Sequence, residues 1–270
     1  MKLGFVSAIR ADKSFEEMID IASDLGYACV EVACWPKGKA ERRYAGVTHI
    51  DVDALDEEKI SYIRNYVKKK NVEISSLAYY PNPMDGDKEV RQRTVSHLKK
   101  VIEASHKLGI GLVTTFIGRD QYKSVEENLE IFKEVWPPIL KLAKEKKVKI
   151  AIENCPMLFS ADQWPGGQNL FTTPRIWREI FEMADSEELG INFDPSHMVW
   201  QMMDYIEPLY EFKDRIFHVH FKDTKVHEKK LNDVGVYAFP LDYMSPKLPG
   251  YGQVDFGAFI SALHDIGFDG

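Results

Sequence analysis

The stretch "GINFDPSHMVW", from Gly190 to Trp200, has the pattern of a buried strand that ends in reactive side chains. Because side chains alternate across a strand, Ile191 and Phe193 share an apolar face, whereas Asn192 and Asp194 share a polar one. The proline that follows cannot donate to a sheet ladder, so it ends the strand. We therefore predict that Asp194 lies at a strand terminus, with a histidine one tight turn later.

Three other predicted strands have the same two-faced pattern. Their apolar faces suit contact with a layer of helices, and their polar faces then point into the interior of a sheet that closes on itself. The polar faces carry Glu31 in "CVEVAC", Lys149 and Glu153 in "KIAIEN", and His218, His220 and Lys222 in "IFHVHFKD".

Strand and helix patterns alternate along the whole chain, beginning with a helix that starts at a Ser14–Glu17 capping box and ends at Gly26. Strands separated by helices predict right-handed parallel crossovers. The predicted strands are Lys2–Ala8, Tyr27–Trp35, Val72–Tyr79, Gly111–Ile117, Val148–Asn154, Leu189–Asp194 and Arg215–Asp223. The further helices are Glu57–Lys70, Asp87–Leu108, Val125–Lys147, Pro174–Ala184, Val199–Phe212 and Phe256–Ile266.

Seven such units without a Gly/Ser linker predict a (β/α) barrel in a single domain over residues 1–270. The alternative is an open doubly wound sheet, but "GFVSAIRAD" after the first strand lacks the expected GxGxxG. Long connections follow three strands, at Trp35–Leu55, at 155–173 and at Lys225–Val254. They therefore lie at the carboxyl mouth of the barrel, where we expect binding loops.

Acidic and imidazole side chains are unusual in a barrel interior, which branched aliphatic residues normally fill. Burying such groups costs several kcal/mol per charge unless something compensates. Glu153, Asp194 and His220 end the inward faces of three successive strands and offer an O,O,N ligand set for a Mn²⁺- or Mg²⁺-type ion. Any one of them alone would more commonly form an ion pair, so the prediction depends on their conjunction. For the deeper His218 we favour a hydrogen-bonded core role.

Composition predicts a cytoplasmic protein without a nucleic-acid or membrane partner. The formal net charge is −7, and no apolar run approaches the ~20 residues that span a bilayer. Three cysteines in no CxxC spacing suggest neither a disulfide framework nor a zinc knuckle, and Cys34 and Cys155 suit inert packing. Trp35, Trp164 and Trp200 could stack on a sugar, although packing is the commoner role of tryptophan.

The segments "AIENCP", "WPGGQNLFTTP", "GINFDPSH", "IFHVHFKDT" and "LPGYGQVDFGAFISALHDIGFDG" resemble the xylose-isomerase-like TIM barrels, and specifically their sugar isomerase/epimerase branch. The resemblance covers essentially the whole chain and implies an α/β (β/α)8 TIM barrel. That group includes sugar phosphate isomerases and epimerases, ketose 3-epimerases, inosose dehydratases and endonuclease IV.

By this resemblance Glu153, Asp194 and His220 match metal ligands, and His197 matches a substrate contact. Glu153 would also be the catalytic residue that moves a proton at the carbon next to a carbonyl, through an enediolate. A second glutamate is expected on the eighth strand, which should begin just after "IGFDG". The sequence stops there, at Gly270, so we expect a domain truncated at its C-terminus and an eighth strand missing from this chain.

The leading prediction is a divalent-metal-dependent isomerase or epimerase of a ketose, sugar phosphate or related polyol ketone. The alternatives are an inosose-type dehydratase and a degenerate sugar-binding barrel, while an endonuclease IV-like activity, for which His49 and His227 are spare ligands, fits the negative charge poorly. The cofactor would be Mn²⁺, Mg²⁺ or Co²⁺, with Zn²⁺ as a further candidate, and a homo-oligomer is left open. The predicted substrate contacts are His197, Asp223, Lys222, Glu31 and Trp35, with Lys225 and Arg119 as further candidates for an anion.

Overall fold

Seven parallel strands form one sheet in which the spatial order follows the chain order. The computed structural model describes residues 1–38, 45–158 and 161–270. The strands are β1 (Gly4–Val6), β2 (Cys29–Ala33), β3 (Glu73–Ala78), β4 (Leu112–Thr115), β5 (Lys149–Glu153), β6 (Leu189–Phe193) and β7 (Ile216–Val219). Each pairs in parallel with the next. The predicted TIM-barrel fold is confirmed, with seven of its eight strands present among the described residues.

Helices connect successive strands of this sheet, and further helices follow its last strand. They are α1 (Phe15–Asp24), α2 (Glu57–Lys70), α3 (Lys88–Leu108), α4 (Val125–Val135), α5 (Pro137–Lys146), α6 (Pro174–Ala184), α7 (Ser196–Trp200), α8 (Glu207–Glu211), α9 (Glu228–Val234), α10 (Pro240–Tyr243) and α11 (Phe256–Asp265). The capping box predicted at Ser14 and Glu17 is present at the start of α1. Within the described ranges, no helix combines the length and hydropathy that a bilayer crossing requires.

The apolar strand faces pack against the helices, as the alternation predicts. Phe193 of β6 is fully buried, and its ring lies 5.8 Å from those of Trp177 in α6 and Phe259 in α11. The opposite face of β6 therefore points inward, and the same holds for the buried strand β5 beside it.

Two predicted helices are wrong in extent. The helix predicted at Val125–Lys147 is divided into α4 and α5, because Pro137 has no N–H to continue the first helix but fits the first turn of a second. The helix predicted at Val199–Phe212 is divided into α7 and α8, and between them Met202 adopts a positive φ of 58°.

The segment after β7 is also different from the prediction. The strand expected to reach Asp223 ends at Val219, and Asp223 instead begins β8 (Asp223–Val226), which pairs antiparallel with β9 (Met244–Lys247). The long connection Lys225–Val254 is therefore a hairpin that encloses α9 and α10, not a plain loop. A period-two pattern cannot show that a strand has left one sheet for another.

Candidate metal centre

The three predicted ligands lie at the carboxyl ends of neighbouring strands. Glu153 ends β5, Asp194 directly follows β6, and His220 directly follows β7. The register pairs Glu153 with Asn192, and Phe193 with Val219, so the three residues come to the same rim. All three side chains are buried, and Glu153 Oε1 lies 3.1 Å from His220 Nδ1.

Lys222 places its ammonium group between two of these carboxylates. Its Nζ donates to Glu153 Oε1 and lies 3.0 Å from Asp194 Oδ2. The side chain is 46% exposed, so it reaches this position from the solvent side of the cluster. A positive charge from the chain itself therefore already offsets one of the two negative charges of the acidic pair.

Asp194 and His197 each leave one buried atom without a hydrogen bond. Asp194 Oδ1 accepts from the backbone N–H and the hydroxyl of Ser196, at 2.9 and 2.6 Å, but Oδ2 has no hydrogen-bond partner. His197 Nε2 also has none, although it lies 3.2 Å from Asp194 Oδ2 and 3.8 Å from Glu153 Oε1. These two atoms form ion pairs rather than hydrogen bonds, since Lys222 Nζ also lies 3.0 Å from Asp194 Oδ2, and a cation that replaced the ammonium would meet the same oxygens.

A second cluster surrounds Glu31, deeper in the interior. Glu31 Oε2 lies 2.8 Å from His220 Nε2 and 3.7 Å from His218 Nδ1. Glu31 Oε1 accepts from the hydroxyls of Tyr80, at 2.7 Å, and Thr114, at 3.1 Å. This cluster is hydrogen bonded throughout.

The ionisation states of the two clusters depend on each other, because His220 lies close to a carboxylate of each. Burial alone would raise the pKa of Glu31, but the neighbouring His220 outweighs it and lowers the pKa to about 2. Burial likewise opposes ionisation of Glu153, yet Lys222 and His220 hold its pKa well below the usual value. For His220, burial lowers the pKa, but Glu31 and Glu153 together raise it to about 9. The imidazole is therefore held as a cation between two carboxylates near neutral pH.

Two other histidines of the clusters, His218 and His197, differ in charge. Burial lowers the pKa of His218 to about 4, so this ring is neutral. Its Nδ1 contacts Asn192 Oδ1 at 3.1 Å, and its Nε2 contacts Ser75 Oγ at 3.2 Å, which matches the core role favoured from the sequence. The pKa of His197 is raised well above its usual value, since the neighbouring Cys155 and Asp194 outweigh burial.

Two groups of three side chains have the spacing of a metal site, and their hydrogen bonding distinguishes them. Ligand atoms of Glu153, Asp194 and His197 lie within 4.8 Å of one another, as do those of Glu31, His218 and His220. Only the first group contains atoms that form ion pairs without a hydrogen bond, namely Asp194 Oδ2 and His197 Nε2. With the Nδ1 atom of His220 beside it, that group offers oxygen and nitrogen donors that fit a divalent cation.

Two other predicted substrate contacts, Trp35 and Asp223, do not belong to either group of three side chains. Trp35 is buried, and its ring lies 6.1 Å from that of Tyr80. Tyr80 therefore lies between Trp35 and the carboxylate of Glu31, to which it donates. Asp223 is not part of the cluster: its two oxygens accept five backbone N–H groups, those of Thr224 and of residues 250 and 252–254. Its carboxylate therefore anchors the loop that follows β9.

Sequence reasoning did not identify Tyr80 and Thr114 as members of the site. Tyr80 lies two residues beyond β3, and Thr114 is on β4. Neither has a motif around it, and only the contact with Glu31 shows their role. An inward polar position on β4 was the one available signal for Thr114.

Comparison with known proteins agrees with this fold. A family model described as a xylose isomerase-like TIM barrel matches residues 19–270. The chain is 25% identical to the uncharacterized protein YfiH of Bacillus subtilis (strain 168), over 100% of this chain and 90% of that protein. An inosose dehydratase of Lacticaseibacillus casei is 30% identical over 107 residues, which cover 38% of this chain and 35% of that enzyme.

Solved structures give the same result. The structure of a D-psicose 3-epimerase in the presence of D-fructose has a TM-score of 0.71 at 15% identity, covering 100% of this chain and 83% of that one. The IolI protein with a bound zinc atom has a TM-score of 0.70 at 20% identity, covering 100% of this chain and 87% of that one. At such identities the likeness shows the fold.

Proposed function

Because the chain belongs to the xylose isomerase-like TIM barrel family, we propose that it is a divalent-metal-dependent isomerase or epimerase of a ketose, sugar phosphate or related polyol ketone. The observation that carries the proposal is the meeting of the buried Glu153, Asp194 and His220 at one rim of the sheet, with Glu153 Oε1 3.1 Å from His220 Nδ1 and with His197 close enough to both carboxylates to contact a ligand there. The free thiols of all three cysteines support the cytoplasmic location that composition predicts.

In this proposal Glu153, Asp194 and His220 hold the cation, and His197 contacts the substrate. The donor set suits Mn²⁺, Mg²⁺ or Co²⁺, and the zinc of IolI makes Zn²⁺ a further candidate. A bound cation supplies Lewis-acid polarisation of a substrate carbonyl or hydroxyl oxygen. This polarisation would make the neighbouring C–H bond more acidic. The protein's own groups would then have to accept that proton and return it.

Glu153 is the proposed base. Its low pKa keeps it ionised near neutral pH, so it can accept the proton from the carbon next to the carbonyl. The ion pair with Lys222 makes it a weak base in the substrate-free protein. Moving the ammonium from Glu153 to a substrate oxygen would raise the proton affinity of the carboxylate when the substrate is present. Transfer of the proton to the neighbouring carbon completes an isomerisation. An epimerisation requires a proton delivered to the same carbon from the opposite face, which would be the role of the second glutamate expected on the eighth strand.

A dehydratase is the second candidate, and the similarity to inosose dehydratases favours it. Removal of the same proton, followed by departure of a β-hydroxyl group that takes up a proton, releases water. Product mass separates the two candidates, because isomerisation conserves mass and dehydration lowers it by one water molecule.

The test is a panel of ketoses, their phosphates and cyclic polyol ketones, incubated with metal-loaded protein in deuterium oxide. We expect deuterium to enter at the carbon next to the carbonyl. Glu153→Gln should lower exchange by about 100- to 10,000-fold while the protein stays folded. Glu182→Gln, on the exposed side of α6, is the matched control and should leave exchange unchanged. Exchange retained in Glu153→Gln would remove Glu153 from the role of base.

Metal content tests the ligand assignment independently. His220→Ala should lower the amount of metal that elemental analysis finds per protein chain. An unchanged metal content would contradict the assignment of His220 even if activity were lost.

A further inference from the structure

We propose that Glu31 positions His220 as a metal ligand, by accepting the Nε2 proton and so presenting Nδ1 to the cation. The inference rests on the proposed metal centre and gives Glu31 a role other than the substrate contact predicted from sequence. It starts from the placement of the imidazole between two carboxylates, with Nε2 2.8 Å from Glu31 and Nδ1 3.1 Å from Glu153.

Glu31 is fixed on every side. Its side chain is 2% exposed, and Oε1 already accepts from Tyr80 and Thr114. Asn192 in turn donates to the Tyr80 hydroxyl at 3.1 Å, so each member of this chain of hydrogen bonds has a partner. A carboxylate held in this way has no oxygen left for a substrate, but it can hold a neighbouring ring in one orientation.

The position of the proposed cation would select the tautomer of His220. Both ring nitrogens face a carboxylate, which only accepts hydrogen bonds, and Asn192 Nδ2 also lies 3.2 Å from Nε2. A cation held by Glu153 and Asp194 would take Nδ1, so the remaining hydrogen would lie on Nε2, where Glu31 accepts it. The nitrogen on the Glu153 side is then the one that can offer a lone pair. Metal-binding histidines in proteins commonly donate their other N–H to a carboxylate, which fixes the ring and increases its basicity.

By this proposal the second group of three side chains would not hold a cation of its own. A metal bound by Glu31, His218 and His220 would need the lone pair of His220 Nε2. That nitrogen instead donates to Glu31, and His218 is occupied by Asn192 and Ser75. The two groups therefore form one site, in which the deeper group supports the outer one.

The first test measures Mn²⁺ and Co²⁺ affinity of the metal-free protein by calorimetry, with the visible spectrum of the Co²⁺ form as a second readout. We expect Glu31→Gln to weaken affinity by about 10- to 100-fold and to alter the Co²⁺ spectrum. Glu182→Gln makes the same carboxylate-to-amide change on the exposed side of α6, away from the site. It should keep the wild-type spectrum and bind within about threefold of wild type.

Glu31→Asp, which retains an acceptor, should recover part of the affinity. A folded Glu31→Gln variant with wild-type affinity and spectrum would overturn the positioning role and leave the proposed function intact. Wild-type protein that binds neither ion would overturn both.

The second measurement needs no variant. Long-range ¹H–¹⁵N NMR of the histidine side chains in the Zn²⁺-loaded protein should show His220 with its proton on Nε2. A proton on Nδ1 would contradict the proposal directly.

Discussion

Metal binding should tighten steeply as the pH rises from 6 to 8. In the metal-free protein, Glu31 and Glu153 outweigh burial and raise the pKa of His220 to about 9. A cation that takes Nδ1 must displace the proton there, so binding competes with protonation. Glu153 does not add to this dependence, because its pKa lies well below the range of the experiment.

The magnitude follows from this value. Below pH 9, displacement of one proton weakens the apparent affinity by about tenfold for each pH unit. At pH 7 the apparent dissociation constant should therefore be about 100-fold higher than its limiting value at high pH. His197, whose pKa is also raised, would add a second proton if it became a ligand and would steepen the slope.

Calorimetric titration with Mn²⁺ at pH 6, 7 and 8, in buffers of different ionisation enthalpy, gives both the dissociation constant and the number of protons released. We expect at least about one proton per cation and a fall of about 100-fold or more in the dissociation constant over these two units. In His220→Gln the dependence due to this ring should vanish. A constant affinity without proton release would refute the reasoning.

Three further predictions concern stability. The pKa of His220 is raised from 6.5 to about 9 on folding, so its contribution to the free energy of unfolding is complete below pH 6.5 and is lost as the pH rises through 9. Urea unfolding of the metal-free protein should show this free energy falling by about 3 kcal/mol over that range, and His220→Gln should not show the fall. Asp223→Ala should cost about 1–3 kcal/mol and speed hydrogen exchange at residues 250–254, whereas unchanged exchange there would deny the anchoring role. Gly190→Val should lower the melting temperature sharply, because the added Cβ would overlap the carbonyl oxygen of Arg215; a stable variant would show that β6 and β7 are not packed so closely.

The strands and the meeting of three polar side chains at their carboxyl ends could be predicted because their signals are local. Alternation within five or six residues places Glu153, Asp194 and His220 on inward faces, and sequential parallel order brings their strand ends together. The ends of β7 and of the helix before it could not be predicted. Whether a chain continues, bends or joins another sheet depends on contacts with distant residues.

The partners of Glu31 could not be predicted either, because they also depend on residues far away along the chain. Glu31 was predicted to face inward, but its partners Tyr80 and Thr114 are 49 and 83 residues away along the chain. Lys222 was predicted as a contact for a substrate anion, and its position between two acids follows from the turn after β7. No short pattern contains such relations, because they arise only when several strand ends meet.

The five hydrogen bonds to Asp223 have a mechanical consequence. Asp223 is adjacent in the chain to Lys222, whose ammonium lies between Glu153 and Asp194. The Asp223 carboxylate connects this part of the chain to the loop at residues 250–254, which follows the β8–β9 hairpin. A displacement of this loop would therefore be transmitted through one peptide unit to the lysine, and the reach of the ammonium depends on a segment about thirty residues further along the chain.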